Sequence, residues 1–229
     1  MSNLKIGFYG HSSVCWANSK NSISFIDQII DKFNADLVNI GVPQGSEERI
    51  LFDLKKSKEV DVAIIFHSSP KFIFLPNCSR DVSISNVPSR KAKYFWSEDK
   101  SDQVSTDKFE NEFFTYGKIK EVFDTPEEYV DAMTHLKEYF YHPDLFSNRF
   151  YSALQSIDNY LENKKIKSYH VIRPSLIIQH PWIKFNSGTV DVSLALMPNT
   201  TGLPNNYSVE QNKLIGDKLI IWINKEYGW

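Results

Sequence analysis

Apolar residues follow two rhythms along this chain, and the two alternate. The run at residues 60–67 is apolar almost throughout, as a strand covered on both faces is; other apolar runs lie at 4–9 and 36–40, and a fourth at 168–173, where Pro174 stops it. Between the first three, Ile26, Ile29, Ile30 and Phe33 recur at helical spacing, with Asn21 or Ser22 as cap. Ile50, Leu51 and Leu54 do the same after Ser46, with Glu47 and Glu48 in the first turn. Strand, helix, strand, helix, strand opens a doubly wound sheet. The expected fold is α/β, a flavodoxin-like three-layer sandwich around a central parallel sheet. In its strand order 2-1-3-4-5 the first and third strands are neighbours and share one carboxyl edge.

The rhythm fails between residues 71 and 124. Phe72-Ile73-Phe74-Leu75-Pro76 reads as a short extended segment, and Asn77 to Gln103 mixes prolines, serines and charges without a sustained period. Tyr94, Phe95, Trp96, Phe109, Phe113, Phe114 and Tyr116 argue for an ordered insertion packed over one edge of the sheet. Thr125-Pro126-Glu127-Glu128 then combines a cap, a first-turn proline and a capping-box glutamate, ahead of the stripe Tyr129, Met133, Leu136 and Phe140. Phe146, Phe150, Leu154, Ile157 and Leu161 form the next stripe, so the expected organisation is one domain, 1–229, with an α-helical and irregular insertion at about 71–165. Leu176-Ile177-Ile178 either continues the fourth strand or forms a short fifth. A last helix opens on Ser208-x-x-Gln211, a capping box, and turns Ile215, Leu219, Trp222 and Ile223 toward the sheet.

Size and composition narrow the function classes. A chain of 229 residues with 41% hydrophobic and 14% aromatic content can bury one substantial core. With 26 basic and 28 acidic residues, nothing recommends nucleic acid or an anionic membrane as partner. Cys15 and Cys78 lack metal-ligand pairing, no His-x-x-x-His occurs, and no nucleotide-binding glycine loop appears, so no disulfide, metal or other cofactor is expected. No apolar run approaches a membrane span, and the amino terminus lacks the pattern of a signal peptide. Cytoplasmic localisation is the expectation. The wealth of lysine, asparagine, isoleucine and serine fits an AT-rich genome, bacterial or phage, with a place in the virion as the alternative. Oligomeric state is left open.

Candidate chemistry begins at Lys5-Ile6-Gly7-Phe8-Tyr9-Gly10-His11-Ser12-Ser13, a strand that breaks at a glycine and delivers a serine. Three further blocks follow: Asp36-Leu37-Val38-Asn39-Ile40-Gly41-Val42-Pro43-Gln44-Gly45, Val60 to Ser69, and Pro204 to Leu214. In order and spacing they resemble the SGNH, or GDSL-type, hydrolase superfamily, over residues 4–70 and 168–225. The resemblance implies Ser12 as nucleophile, within Gly10-His11-Ser12 where the family has Gly-Asp-Ser. It implies an oxyanion-hole N–H from Gly45, or from Gln44 if the loop is one residue longer. His67-Ser68-Ser69 replaces the family's Gly-x-Asn-Asp, and the Asp-x-x-His of the last block falls on Leu203 and Asn206.

A serine nucleophile needs a base, a group that orients the base, and donors for the oxyanion. With Asn206 in the histidine's place, the base must come from elsewhere, and the topology sets His67 beside Ser12. His67 also reads as a hydrogen-bonded histidine closing its strand, or as a neutral oxyanion donor. His180, in Gln179-His180-Pro181-Trp182, is the second choice; His170 lies inside a strand, buried or paired; His11 is a poor base for its own neighbour. Ser69 and Asn206 complete the candidate binding set. Two readings result: a serine hydrolase removing an acyl group such as acetyl from a small-molecule or carbohydrate ester, or a catalytically degenerate module of the same fold that binds or builds.

Overall fold

The computed structural model describes residues 3–11, 14, 24–42, 45–57, 59–70, 72–74, 81–83, 126–140, 142–179, 184–197 and 207–228. In chain order its elements are β1 (Lys5–Gly10), α1 (Phe25–Phe33), β2 (Asp36–Asn39), α2 (Glu47–Lys56), β3 (Val62–Phe66), β4 (Phe72–Ile73) and β5 (Val82–Ser83). They continue with α3 (Pro126–His135), a π-helical turn Leu136–Phe140, α4 (Pro143–Lys164), β6 (Lys167–Val171), α5 (Pro174–Gln179), β7 (Gly188–Asp191) and α6 (Val209–Tyr227). Five strands form one parallel sheet in the order β2-β1-β3-β6-β7, the flavodoxin-like arrangement expected from the sequence. β4 and β5 pair antiparallel as a separate ribbon.

Alternation along the buried strands decides which helix covers which face. Ile6, Phe8, Val62, Ile64, Phe66, Tyr169 and Val171 point to a layer made by α1 and α6, where Phe25, Ile29, Ile215 and Leu219 meet them. Tyr9, Ala63 and Ile65 point the other way, onto Ile50 and Leu54 of α2 and Ile157 and Leu161 of α4. α4 thus covers the second face of the sheet, although its stripe reads from sequence as part of the 71–165 insertion.

Helix starts follow local hydrogen-bond chemistry. α1 begins two or three residues later than the sequence suggests, because Ser24 and Asp27 form a reciprocal capping box. Ser46 caps α2 and Ser208 caps α6 as expected. Leu176-Ile177-Ile178 is helical rather than a strand: Pro174 occupies the first position of α5, where its missing N–H costs nothing. The fifth strand is instead Gly188–Asp191, mostly exposed at the sheet edge and without an alternating pattern to announce it.

Candidate functional site

The carboxyl ends of β1, β3 and β6 meet at one edge. Gly10 closes β1 with φ +139°, and a Cβ there would stand 2.3 Å from the Phe66 carbonyl oxygen, so only glycine fits. Gly45 is held as closely: its Cβ would lie 2.6 Å from the Gly10 oxygen, which also accepts the Val42 N–H (3.2 Å). The Gly45 N–H itself donates to the Val42 carbonyl at 3.1 Å. Recruiting it for an oxyanion would mean giving that bond up. Asn39 is likewise engaged, its Nδ2 donating to the Phe8 carbonyl at 2.7 Å.

Immediately beyond β3, His67 opens a chain of polar side chains between the sheet and the α2/α4 layer, buried except at Ser187, which is partly exposed. Its Nδ1 lies 2.9 Å from Glu47 Oε2, in the first turn of α2. The other Glu47 oxygen accepts the Ser68 N–H (2.7 Å) and hydroxyl (3.2 Å). On the opposite side, His67 Nε2 lies 2.9 Å from His170 Nδ1. The two ring planes differ by only 6° with centroids 5.2 Å apart, so the imidazoles lie end to end in one plane rather than face to face.

From His170 Nε2 the chain continues to Ser168 Oγ (2.9 Å) and Ser187 Oγ (3.1 Å), which are 2.8 Å from each other. Ser187 donates its hydroxyl to Asp158 Oδ1 at 2.6 Å, and the N–H groups of Asn186 and Ser187 satisfy the rest of that carboxylate (2.9 and 3.0 Å). Glu47, His67, Ser68, Ser168, His170 and Asp158 are each 4% exposed or less. Phe185 lies against both imidazoles, its ring centroid 4.4 Å from His170 and 5.4 Å from His67. Two buried carboxylates are thus joined by two histidines and two serines.

The surroundings are charged. Burial, and then the neighbouring His67, hold His170 well below the usual imidazole range, so it is neutral. Burial and the Arg173 guanidinium push half-buried His11 down to about 4, while Glu47 and a hydrogen bond to the His67 backbone act in the opposite direction. At neutral pH His11 is therefore an uncharged imidazole at this edge. Asp81 fixes the start of α2 by accepting the Ser46 N–H at 2.7 Å and pairing with Arg49 at 3.2 Å. It thereby holds Glu47 in place. Ser69 lines a crevice with Glu47, Glu48, Pro70, Phe146, Arg149 and Phe150, too narrow to hold a water molecule.

Of the residues singled out from sequence, the structure describes Gly45, His67 and Ser69 and sets all three around the carboxyl edge. Ser12, Gln44, His180, Leu203 and Asn206 lie outside the described residues. Sequence reasoning took Glu47 only as a helix-dipole residue and did not connect Ser168, Ser187 or Asp158 to His67. Their link is purely tertiary, apart from the alternation that puts Ser168 and His170 on one face of their strand. Among the described residues, no group of three or more His, Cys, Asp or Glu side chains could hold a metal ion, and no helix is long and apolar enough to cross a membrane.

Fold and edge together define an α/β protein with a parallel, flavodoxin-like sheet and a buried histidine pair at its carboxyl edge. No protein-family model matches the chain, and no curated protein matches it either.

Proposed function

We propose that this chain is a catalytically degenerate SGNH-like module, whose carboxyl edge binds a ligand or builds an assembly rather than transferring an acyl group. One observation carries the reading: both ring nitrogens of His67 are engaged, by Glu47 and by His170, in a buried position. A general base needs a nitrogen within reach of the proton it abstracts. Gly45 adds support, because its N–H already has an acceptor. So does the sequence, where Leu203 and Asn206 stand in place of the family's acid and histidine. The test is hydrolysis of p-nitrophenyl acetate. Wild type and Ser12→Ala should both run at background, and a rate lost on Ser12→Ala would refute the proposal.

The second reading is an active serine hydrolase with Ser12 as nucleophile, acting on a small-molecule or carbohydrate ester. What favours it is the Glu47–His67 pair, a buried carboxylate orienting an imidazole at the end of the strand next to β1. For His67 to act, its bond to His170 must open. Turnover that survives Ser12→Ala but not His67→Ala would contradict both readings.

A further inference from the structure

Counting protons along the buried chain shows that one is missing from its simplest charge state. Take Glu47 and Asp158 as carboxylates and both imidazoles as neutral. His67 then donates to Glu47, His170 donates through Nδ1 to His67, and Ser187 donates to Asp158. One hydroxyl proton, that of Ser168, is left for the triangle of His170 Nε2, Ser168 Oγ and Ser187 Oγ, whose sides measure 2.9, 3.1 and 2.8 Å. If it goes to His170, two oxygens face each other at hydrogen-bond distance without a proton; if it goes to Ser187, the His170 lone pair faces two oxygens. Either arrangement leaves close-packed acceptors unsatisfied around Ser168 and His170, which are shut off from water although Ser187 is partly exposed, and that is costly.

One added proton removes the conflict. With His67 donating from both nitrogens, His170 accepts at Nδ1 and carries its own proton on Nε2 into the triangle. Ser168 then donates to Ser187, and Ser187 to Asp158. Every link in the chain has a donor, and Glu47 gains the opposite charge that a buried carboxylate requires.

We propose that the Glu47–His67–His170–Ser168–Ser187–Asp158 chain is a built site for one proton, held on His67 against Glu47, with His170 fixed as the Nε2–H tautomer. The bound proton fastens together α2, the end of β3, β6, the segment before β7, and α4. Without it His170 reverses to the Nδ1–H tautomer and the serine triangle is left short of a donor. The charged and titratable groups facing the chain are Glu47 with the Arg49–Asp81 pair behind it, Asp158 on α4, and His11 and Arg173 at the carboxyl edge. The inference concerns this chain of groups alone and holds whether or not Ser12 is reactive.

Nitrogen-15 NMR of the histidine rings tests it directly, using full-length protein. At pH 7 both nitrogens of His67 should resonate as protonated, and His170 should show a protonated Nε2 and a bare Nδ1. Glu47→Gln should leave His170 unchanged while His67 becomes neutral with its proton on Nε2, since the amide then donates to Nδ1. Neutral His67 with Nδ1-protonated His170 in wild type at pH 7 would overturn the proposal, as would reversal of His170 in Glu47→Gln. Should that variant fail to fold, the wild-type spectrum alone decides.

Discussion

Glu47 is the residue whose replacement separates the ways in which the buried chain can contribute to stability. Glu47→Ala deletes the acceptor of the Ser68 N–H and hydroxyl and strips His67 of its counter-charge, all in a region closed to water. Removing one partner of a buried ion pair costs about 3–5 kcal/mol. Against a total stability on the order of 5–15 kcal/mol, that is a large fraction. Glu47→Gln behaves differently. Its carbonyl still accepts from Ser68, and its amide supplies the proton for His67 Nδ1, so every link is satisfied with neutral groups. The remaining loss is that of a favourable charge at the α2 amino terminus, about 0.3–1 kcal/mol. Urea unfolding followed by tryptophan fluorescence measures both, since Trp222 is anchored in the fold by donating to Thr189 Oγ1 at 3.0 Å. A Glu47→Gln variant as unstable as Glu47→Ala would refute the donor accounting, and a Glu47→Ala variant within about 1 kcal/mol of wild type would refute the claim that the chain is structural.

Other consequences follow from the same geometry and charges. Asp158→Asn puts an amide donor where the N–H of Asn186 or Ser187 needs an acceptor, so it should cost about 2–4 kcal/mol and speed hydrogen exchange in Gly188–Asp191. His11 is held at about 4 in the fold against 6.5 for a free imidazole, so the unfolded chain takes up its proton first as pH falls. Stability should drop by about 1–2 kcal/mol between pH 6.5 and 4, and His11→Gln should flatten that part of the pH–stability curve, a moderate figure because the ring is partly exposed. Asp53 has the opposite sign: burial, with Arg49 opposing, raises it from 3.8 to about 6, so stability is lost as pH rises through this window. Asp53→Asn should therefore stabilise the protein at pH 7–8 by about 1–2 kcal/mol and have no such effect near pH 3.5, as read from urea midpoints.

The centre of the parallel sheet was legible because β1, β3 and β6 are buried on both faces. Residues 60–67 read as a strand from an apolar run, and Ala63 and Ile64 are fully buried on opposite sides. Ser46 and Ser208 were legible as caps because a cap is a local hydrogen bond, written in three or four adjacent residues. β7 was not, because an exposed edge strand has no second face to enforce alternation. The candidate site divides in the same way. His67 could be placed at the carboxyl edge from strand order alone. What it touches could not, because Glu47 and His170 are 20 and 103 residues away and meet it only through the packing of α2 and β6. Proline misled at 174: read as the stop of a strand, it is the first residue of a helix.

Labelling with a fluorophosphonate tests the functional reading most directly, because the reagent reports an activated serine without knowledge of any substrate. The account predicts no labelling of wild-type protein beyond that of Ser12→Ala, under conditions in which an active serine hydrolase is labelled to completion. Stoichiometric labelling that disappears in Ser12→Ala would contradict it and establish Ser12 as a working nucleophile.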